Sequence, residues 1–114
     1  MRKADTKISV AEILNYMKFE GTYQPTVDGV RQQKSTAEAA RKAGFRVRGV
    51  ELQKAADLYR LQRGLFRASD TEAWLDSNGL TREDLEDFLE TDLLVRKFIR
   101  AQDKKAMAQK KRTP

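Results

Sequence analysis

The stretch that decides the fold runs from Gly44 to Phe98 and reads GFRVRGVELQKAADLYRLQRGLFRASDTEAWLDSNGLTREDLEDFLETDLLVRKF. Two segments in it, Ser69-Asp70-Thr71-Glu72 and Thr81-Arg82-Glu83-Asp84, each offer a hydroxyl to the free N–H groups of a helix start and an acid three residues later. Gly64 and the pair Asn78-Gly79 end the helices that precede them. The stretch predicts a third helix before Gly64, a short fourth helix, and a long fifth helix over about residues 82 to 101.

Two further helices are predicted upstream of this stretch. Ser9-Val10-Ala11-Glu12 is a capping box that opens a first helix to about Phe19. Its apolar residues recur at helical spacing, at Val10, Ile13, Leu14 and Met17. Pro25 predicts a loop over residues 23–26, with Thr26 capping a second helix to about Ala43. The inner face of that second helix is expected at Val27, Val30, Ala37 and Ala40.

The segment Phe45-Arg46-Val47-Arg48 alternates like a strand, but no partner run exists elsewhere, so an extended linker is predicted. Gly49 is then a permissive N-cap for the third helix. The apolar face of that helix is expected at Leu52, Ala55, Ala56 and Tyr59. The fold class is therefore all-α, a single domain of about five helices.

The order of these helices, with their side chains, resembles the N-terminal chaperone domain of SurA-type peptidyl-prolyl isomerases over about residues 26 to 98. The residues that carry the resemblance are Glu51, Leu52, Gln53, Ala55, Ala56, Leu65, Thr71, Trp74, Leu75, Gly79, Leu80, Thr81, Asp84, Glu86, Leu89, Glu90, Leu93 and Leu94. The resemblance implies chaperone helices, similar also to those of trigger factor, that hold extended or unfolded polypeptide. A short polar tail follows Ala101, so peptide binding without isomerisation is expected, with a peptide precursor or a secretion or maturation partner as a possible client.

The positive charge is concentrated at the two ends of the chain. The net charge is +6 over 114 residues. Residues 100–112 hold six basic side chains against the single acid Asp103, and residues 1–7 hold three against one. The remainder is close to neutral. We therefore expect a flexible basic N-terminus over residues 1–8, a helical domain over residues 9–101, and a basic, disordered tail over residues 102–114.

Composition argues against catalysis and against a resident metal or cofactor. The chain has no Cys and no His, which removes disulfides, the usual zinc ligands and the commonest general base. The acidic run from Glu83 to Asp92 is expected to be a solvated helix face, because no nucleophile or phosphate-binding loop accompanies it. No run of 18 apolar residues stands together, so no membrane span is expected, and the expected compartment is cytoplasmic.

Large apolar side chains on the third to fifth helices are the candidates for a shallow peptide-binding groove. They are Tyr59, Leu65, Phe66, Trp74, Leu75, Phe88 and Leu89. The alternative is that these residues are the hydrophobic core itself, because a small domain has few aromatic residues to spare. The same surface could instead form a homodimer, in which case the protein would be an adaptor.

Basic side chains around the third helix form a candidate basic patch. Its members are Arg41, Arg46, Arg48, Arg60, Arg63 and Arg67. The alternative is a scattered, solvated set paired with nearby acids. A converging patch, together with the basic termini, would favour a second function, a small helical protein that binds nucleic acid or the ribosome by charge.

Overall fold

The computed structural model describes residues 7–112, in which five α-helices and no strand occur. The helices are α1 (Val10–Glu20), α2 (Tyr23–Lys42), α3 (Gly49–Gln62), α4 (Ala68–Ser77) and α5 (Arg82–Arg112). The prediction of an all-α fold with five helices is confirmed. The chain divides into two units, and the boundary between them follows Gln32, inside α2. The predicted single domain over residues 9–101 stays a prediction, and most of the predicted flexible segment 1–8 lies outside the described residues.

The first unit contains α1, and its start is the predicted capping box. The Ser9 hydroxyl accepts from the Glu12 N–H at 3.1 Å, and the Glu12 carboxylate accepts from the Ser9 N–H at 3.2 Å. Gly21 ends the helix with φ +78°, a conformation that side chains with a Cβ rarely adopt. The apolar face is half-buried at Leu14 and Met17. No residue of α1 is fully buried.

Two predictions about α2 are wrong. The expected loop over residues 23–26 is helical, because Pro25 is the third residue of the helix, where an N–H has no intrahelical acceptor to lose. Thr26, expected as the cap, instead donates its hydroxyl to the Thr22 carbonyl at 2.7 Å. Val30, expected on the inner face, is 63% exposed, because the buried part of α2 lies further on, at Ala37 and Ala40.

The core of the second unit joins α2, the linker after it, and α5. Ala37, Ala40 and Leu94 are buried, and four half-buried apolar residues pack against them: Phe45, Val47, Val95 and Phe98. The rings of Phe45 and Phe98 meet edge to face with centroids 6.1 Å apart. The predicted linker is confirmed, and its strand-like alternation arises because Phe45 and Val47 face this core while Arg46 and Arg48 are exposed.

Acids three residues into a helix mark the starts of α3, α4 and α5. The carboxylates of Glu51, Asp70 and Asp84 accept from the N–H groups of Arg48, Arg67 and Thr81 at 3.1, 3.1 and 2.8 Å. The Thr81 hydroxyl in turn accepts from the Asp84 N–H, so the predicted capping box is confirmed. Gly49 is the first residue of α3 rather than its N-cap, and α4 begins at Ala68, just before the predicted Ser69.

The fifth helix extends beyond its predicted end near residue 101 and reaches Arg112. Alanine, methionine, glutamine and lysine dominate this extension, and all four are strong helix formers. Lysine near a helix C-terminus also offsets the helix dipole. Residues 102–110 are all exposed, so the extension buries nothing within the described chain. The predicted end near residue 101 follows from the missing buried face and gives too little weight to the helix propensity of the residues that follow.

Candidate peptide-binding groove

A groove of about 530 Å³ runs between α3 and α5, which pack along each other. Its apolar lining comes from both helices and consists of Ala55, Leu58, Tyr59, Phe88, Leu89 and Leu93. Its polar lining consists of Glu51, Lys54, Gln62, Arg63, Asp92 and Arg96. An apolar trough with a charged border is the usual form of a site that takes a small apolar group.

The groove is open at the two most exposed residues of its apolar lining. Phe88 is 59% exposed and Leu58 is 54% exposed, one from each wall. Tyr59 holds the aromatic lining together, because its ring meets Phe88 edge to face at 6.1 Å and Trp74 at 6.0 Å. A partner that covered Phe88 and Leu58 would therefore remove apolar surface from water without opening the core.

The residues predicted for one apolar surface are distributed over three concavities. Tyr59, Phe88 and Leu89 line the α3/α5 groove. Leu75 is buried and lines, with Leu89, a second concavity of about 310 Å³ between α3, α4 and α5.

The other three predicted residues lie away from the groove lining. Leu65 and Phe66 line a third concavity, of about 200 Å³, at the end of α3. Trp74 is half-buried and does not line the groove, but its ring contacts Tyr59 and lies 6.0 Å from the Arg63 guanidinium, two groove residues.

Sequence reasoning missed Leu58 as a groove residue. The helical face chosen for α3 included Tyr59 but not its neighbour. A second row at the same spacing, Ala55, Leu58 and Gln62, was present in the sequence and lines the groove together with Tyr59. The signal existed, but periodicity does not say which of two adjacent rows meets α5.

The two acids of the groove are already paired. Hydrogen bonds from the Lys97 ammonium, foremost, and from the Arg48 N–H lower the pKa of Glu51 to about 2. The Lys97 ammonium lies 2.7 Å from the Glu51 carboxylate and also donates to the Arg46 carbonyl at 2.8 Å. Asp92 accepts from the Arg96 guanidinium at 2.8 Å. Both carboxylates are thus engaged within the protein.

The predicted basic patch does not form a single surface. Arg46 and Arg48 precede α3, whereas Arg63 and Arg67 follow it, and the length of that helix separates the two pairs by about 20 Å. Half of the members have polar side-chain partners of their own: Arg41 pairs with Glu90 at 3.2 Å, Arg48 with Glu51 at 3.3 Å, and Arg60 donates to Thr71 at 2.9 Å. This arrangement matches the alternative of scattered cations paired with nearby acids.

The described residues show neither a metal-binding cluster nor a membrane-spanning helix. Among residues 7–112, no group of three or more acidic, His or Cys side chains could hold a metal ion. In the same range, no helix has the length and apolarity needed to cross a bilayer.

Comparison with known proteins adds no relative. No protein-family model, curated protein or solved structure matches the chain. The resemblance to SurA-type chaperone domains therefore stays a prediction.

Proposed function

We propose that this protein binds extended polypeptide without catalysis, seating an apolar side chain of the client in the α3/α5 groove. The observation that carries the proposal is the exposure of Phe88 and Leu58 on facing walls of a groove of side-chain size. Covering a large apolar side chain contributes roughly 1.5 to 3 kcal/mol, so one or two such contacts support modest affinity. The resemblance to SurA-type domains favours the same activity, with a peptide precursor or a secretion or maturation partner as client.

Matched substitutions of two exposed phenylalanines test the proposal. Phe88→Ser removes an aromatic ring that lines the groove. Phe66→Ser removes the ring of an even more exposed phenylalanine, 71% exposed, outside the groove. With a labelled, uncharged peptide that carries one central leucine, we expect Phe88→Ser to lower affinity about tenfold or more. Phe66→Ser should leave affinity within about twofold. Trp74, the single tryptophan, contacts Tyr59 and provides an internal fluorescence signal.

An equal loss of affinity in Phe88→Ser and Phe66→Ser, or no peptide binding by the native protein, would contradict binding in the groove. Sedimentation at two protein concentrations distinguishes the adaptor alternative. If a second copy covers Phe88, the native protein forms a concentration-dependent dimer that Phe88→Ser abolishes.

The extension of α5 favours nucleic-acid binding as a second candidate function. Residues 102–110 are exposed on a continuous helix that carries Lys104, Lys105 and Lys110 against Asp103, with Arg100 one turn before them. Four phosphate contacts would make affinity for duplex DNA or RNA fall roughly a hundredfold between about 50 and 200 mM salt. The double variant Lys104→Glu, Lys105→Glu should weaken that binding, whereas Lys34→Glu on α2 should not. Binding that is insensitive to salt would contradict this candidate.

A further inference from the structure

We infer that the groove selects peptides in which an apolar residue is flanked by two acids, in the order acid, any residue, apolar residue, any residue, acid. The inference rests on the proposed peptide binding and adds the chemistry of the client to it. It follows from which charges of the groove remain available and from the distance between them.

The acids of the groove are already paired with cations of the protein. Glu51 accepts from the Lys97 ammonium at 2.8 Å, from the Arg48 N–H at 3.1 Å and from the Arg48 guanidinium at 3.3 Å. A carboxylate offers about four lone-pair directions, so most of those of Glu51 are occupied. Asp92 accepts one hydrogen bond, from Arg96 one turn away on the same helix, which offsets its charge. A lysine in the client would have to compete with these cations.

Two cations of the groove are not neutralised in this way. Within residues 7–112, the Lys54 side chain makes no ion pair or hydrogen bond and the residue is exposed. Arg63 has its guanidinium 4.2 Å from the centre of the Tyr59 ring, which orients the cation without neutralising it. A stacked guanidinium keeps its N–H edges for a carboxylate. The groove therefore offers two positive positions and two occupied negative ones.

The spacing of the two cations sets the spacing of the acids in the client. Lys54 and Arg63 both line the groove wall on the side of α3, nine residues apart, and the rise of the helix between them is about 13 Å. Four residues of an extended peptide cover about the same distance. In an extended chain, residues two and four apart point to the same side. Acids at both ends and an apolar residue midway would thus all face the groove, with the apolar residue opposite Leu58.

A set of short capped peptides with one central leucine tests the inference. The residues two positions to either side of the leucine are both aspartate, both serine or both lysine, and a fourth peptide carries its two aspartates next to each other at one end. At low salt we expect the spaced aspartate peptide to bind about three- to tenfold tighter than the serine peptide. The lysine peptide should bind weaker than the serine peptide. The peptide with adjacent aspartates should lose most of the gain.

Variants assign the preference to the two cations. Lys54→Gln should reduce the advantage of the spaced aspartate peptide, and Lys54→Glu with Arg63→Glu should reverse it in favour of lysine. Lys34→Gln, an exposed lysine on α2 outside the groove, should leave the preference unchanged. Because the Lys54 side chain is exposed and makes no hydrogen bond or ion pair within the described chain, its substitution should not alter folding.

The outcomes separate the inference from the function on which it rests. If all charged and uncharged peptides bind equally, the selectivity is wrong while peptide binding stands. If the preference persists in Lys54→Glu with Arg63→Glu, these cations are not its source and the inference is overturned. If no peptide binds, the proposed function fails together with the inference.

Discussion

The two parts of α5 pack in opposite ways. Towards its middle, Leu94 is 2% exposed and lies against Ala37 and Ala40 of α2. One to two turns earlier, Phe88 is 59% exposed and faces α3 across the groove. Where α2 presents Ala37 and Ala40, these two side chains and Leu94 are almost fully buried. Where α3 presents Leu58 and Tyr59, large side chains hold an open trough.

The difference separates stability from binding along one helix. The sealed part contains the buried apolar surface that drives folding, and the open part contains apolar surface that costs free energy while uncovered. Substitutions along α5 and its two partners should therefore divide into those that unfold the protein and those that only weaken binding.

Leu94→Ala should give the largest loss of stability. The side chain is nearly fully buried, so its removal costs the transfer free energy and leaves a cavity, about 2 to 5 kcal/mol in total. Urea unfolding followed by circular dichroism measures the change. The matched control is Leu93→Ala, the half-buried neighbour that lines the groove, which should lose less than half as much. Equal losses of unfolding free energy in Leu94→Ala and Leu93→Ala would show that the core is not concentrated at Leu94.

Ala40→Leu tests whether the core around Ala40 is filled. The alanine is 0% exposed, and three added carbons would have to displace the side chains packed around it, at a cost of about 1 to 3 kcal/mol. Ala73→Leu, at an exposed position in the interior of α4, makes the same change without burial and should stay within about 0.5 kcal/mol. Comparable unfolding midpoints for both variants would contradict a filled core at Ala40.

Helix boundaries were readable from the sequence at two of the capped starts, whereas α3 and α4, capped by Glu51 and Asp70, begin one or two residues before the predicted position. Ser9 with Glu12 and Thr81 with Asp84 place two starts correctly, because the hydrogen bonds involved are local in sequence. Gly44, with φ +93°, lies just after the end of α2 for the same reason. The loop predicted around Pro25 was wrong because a proline in the first turn of a helix does not break it. The sequence does not state whether Pro25 lies in that turn.

The site was less predictable than the fold, because it depends on which helical row meets which neighbour. Phe66 and Phe88 are both exposed phenylalanines, and nothing local distinguishes them. The packing of α3 along α5 places Phe88 in the groove and leaves Phe66 beside another concavity. Leu58 was not predicted as a groove residue for the same reason. Tertiary packing, which periodicity alone does not specify, decides between such pairs.

Glu51→Gln should change how stability responds to acid. Lys97 holds the pKa of Glu51 at about 2 in the folded protein, below its ordinary value of 4.5. The stabilisation is therefore present above about pH 4.5 and is lost as the pH falls towards 2. Urea midpoints measured across that range should fall less steeply in Glu51→Gln than in the native protein. Glu38→Gln, an exposed acid on α2, should retain the native slope, and a Glu51→Gln slope equal to it would contradict the Lys97 contact.

Leu58→Ala should have the smallest effect on stability and a clear effect on binding. The leucine is 54% exposed, so little buried surface is lost, and alanine is the better helix former, which offsets part of that loss. We expect the unfolding free energy to change by no more than about 0.5 kcal/mol, while affinity for the leucine peptide falls about three- to tenfold. A loss of stability as large as that of Leu94→Ala would mean that Leu58 is covered in solution. Because it is open in the single chain, the cover would then have to come from a second copy, and the loss would depend on protein concentration.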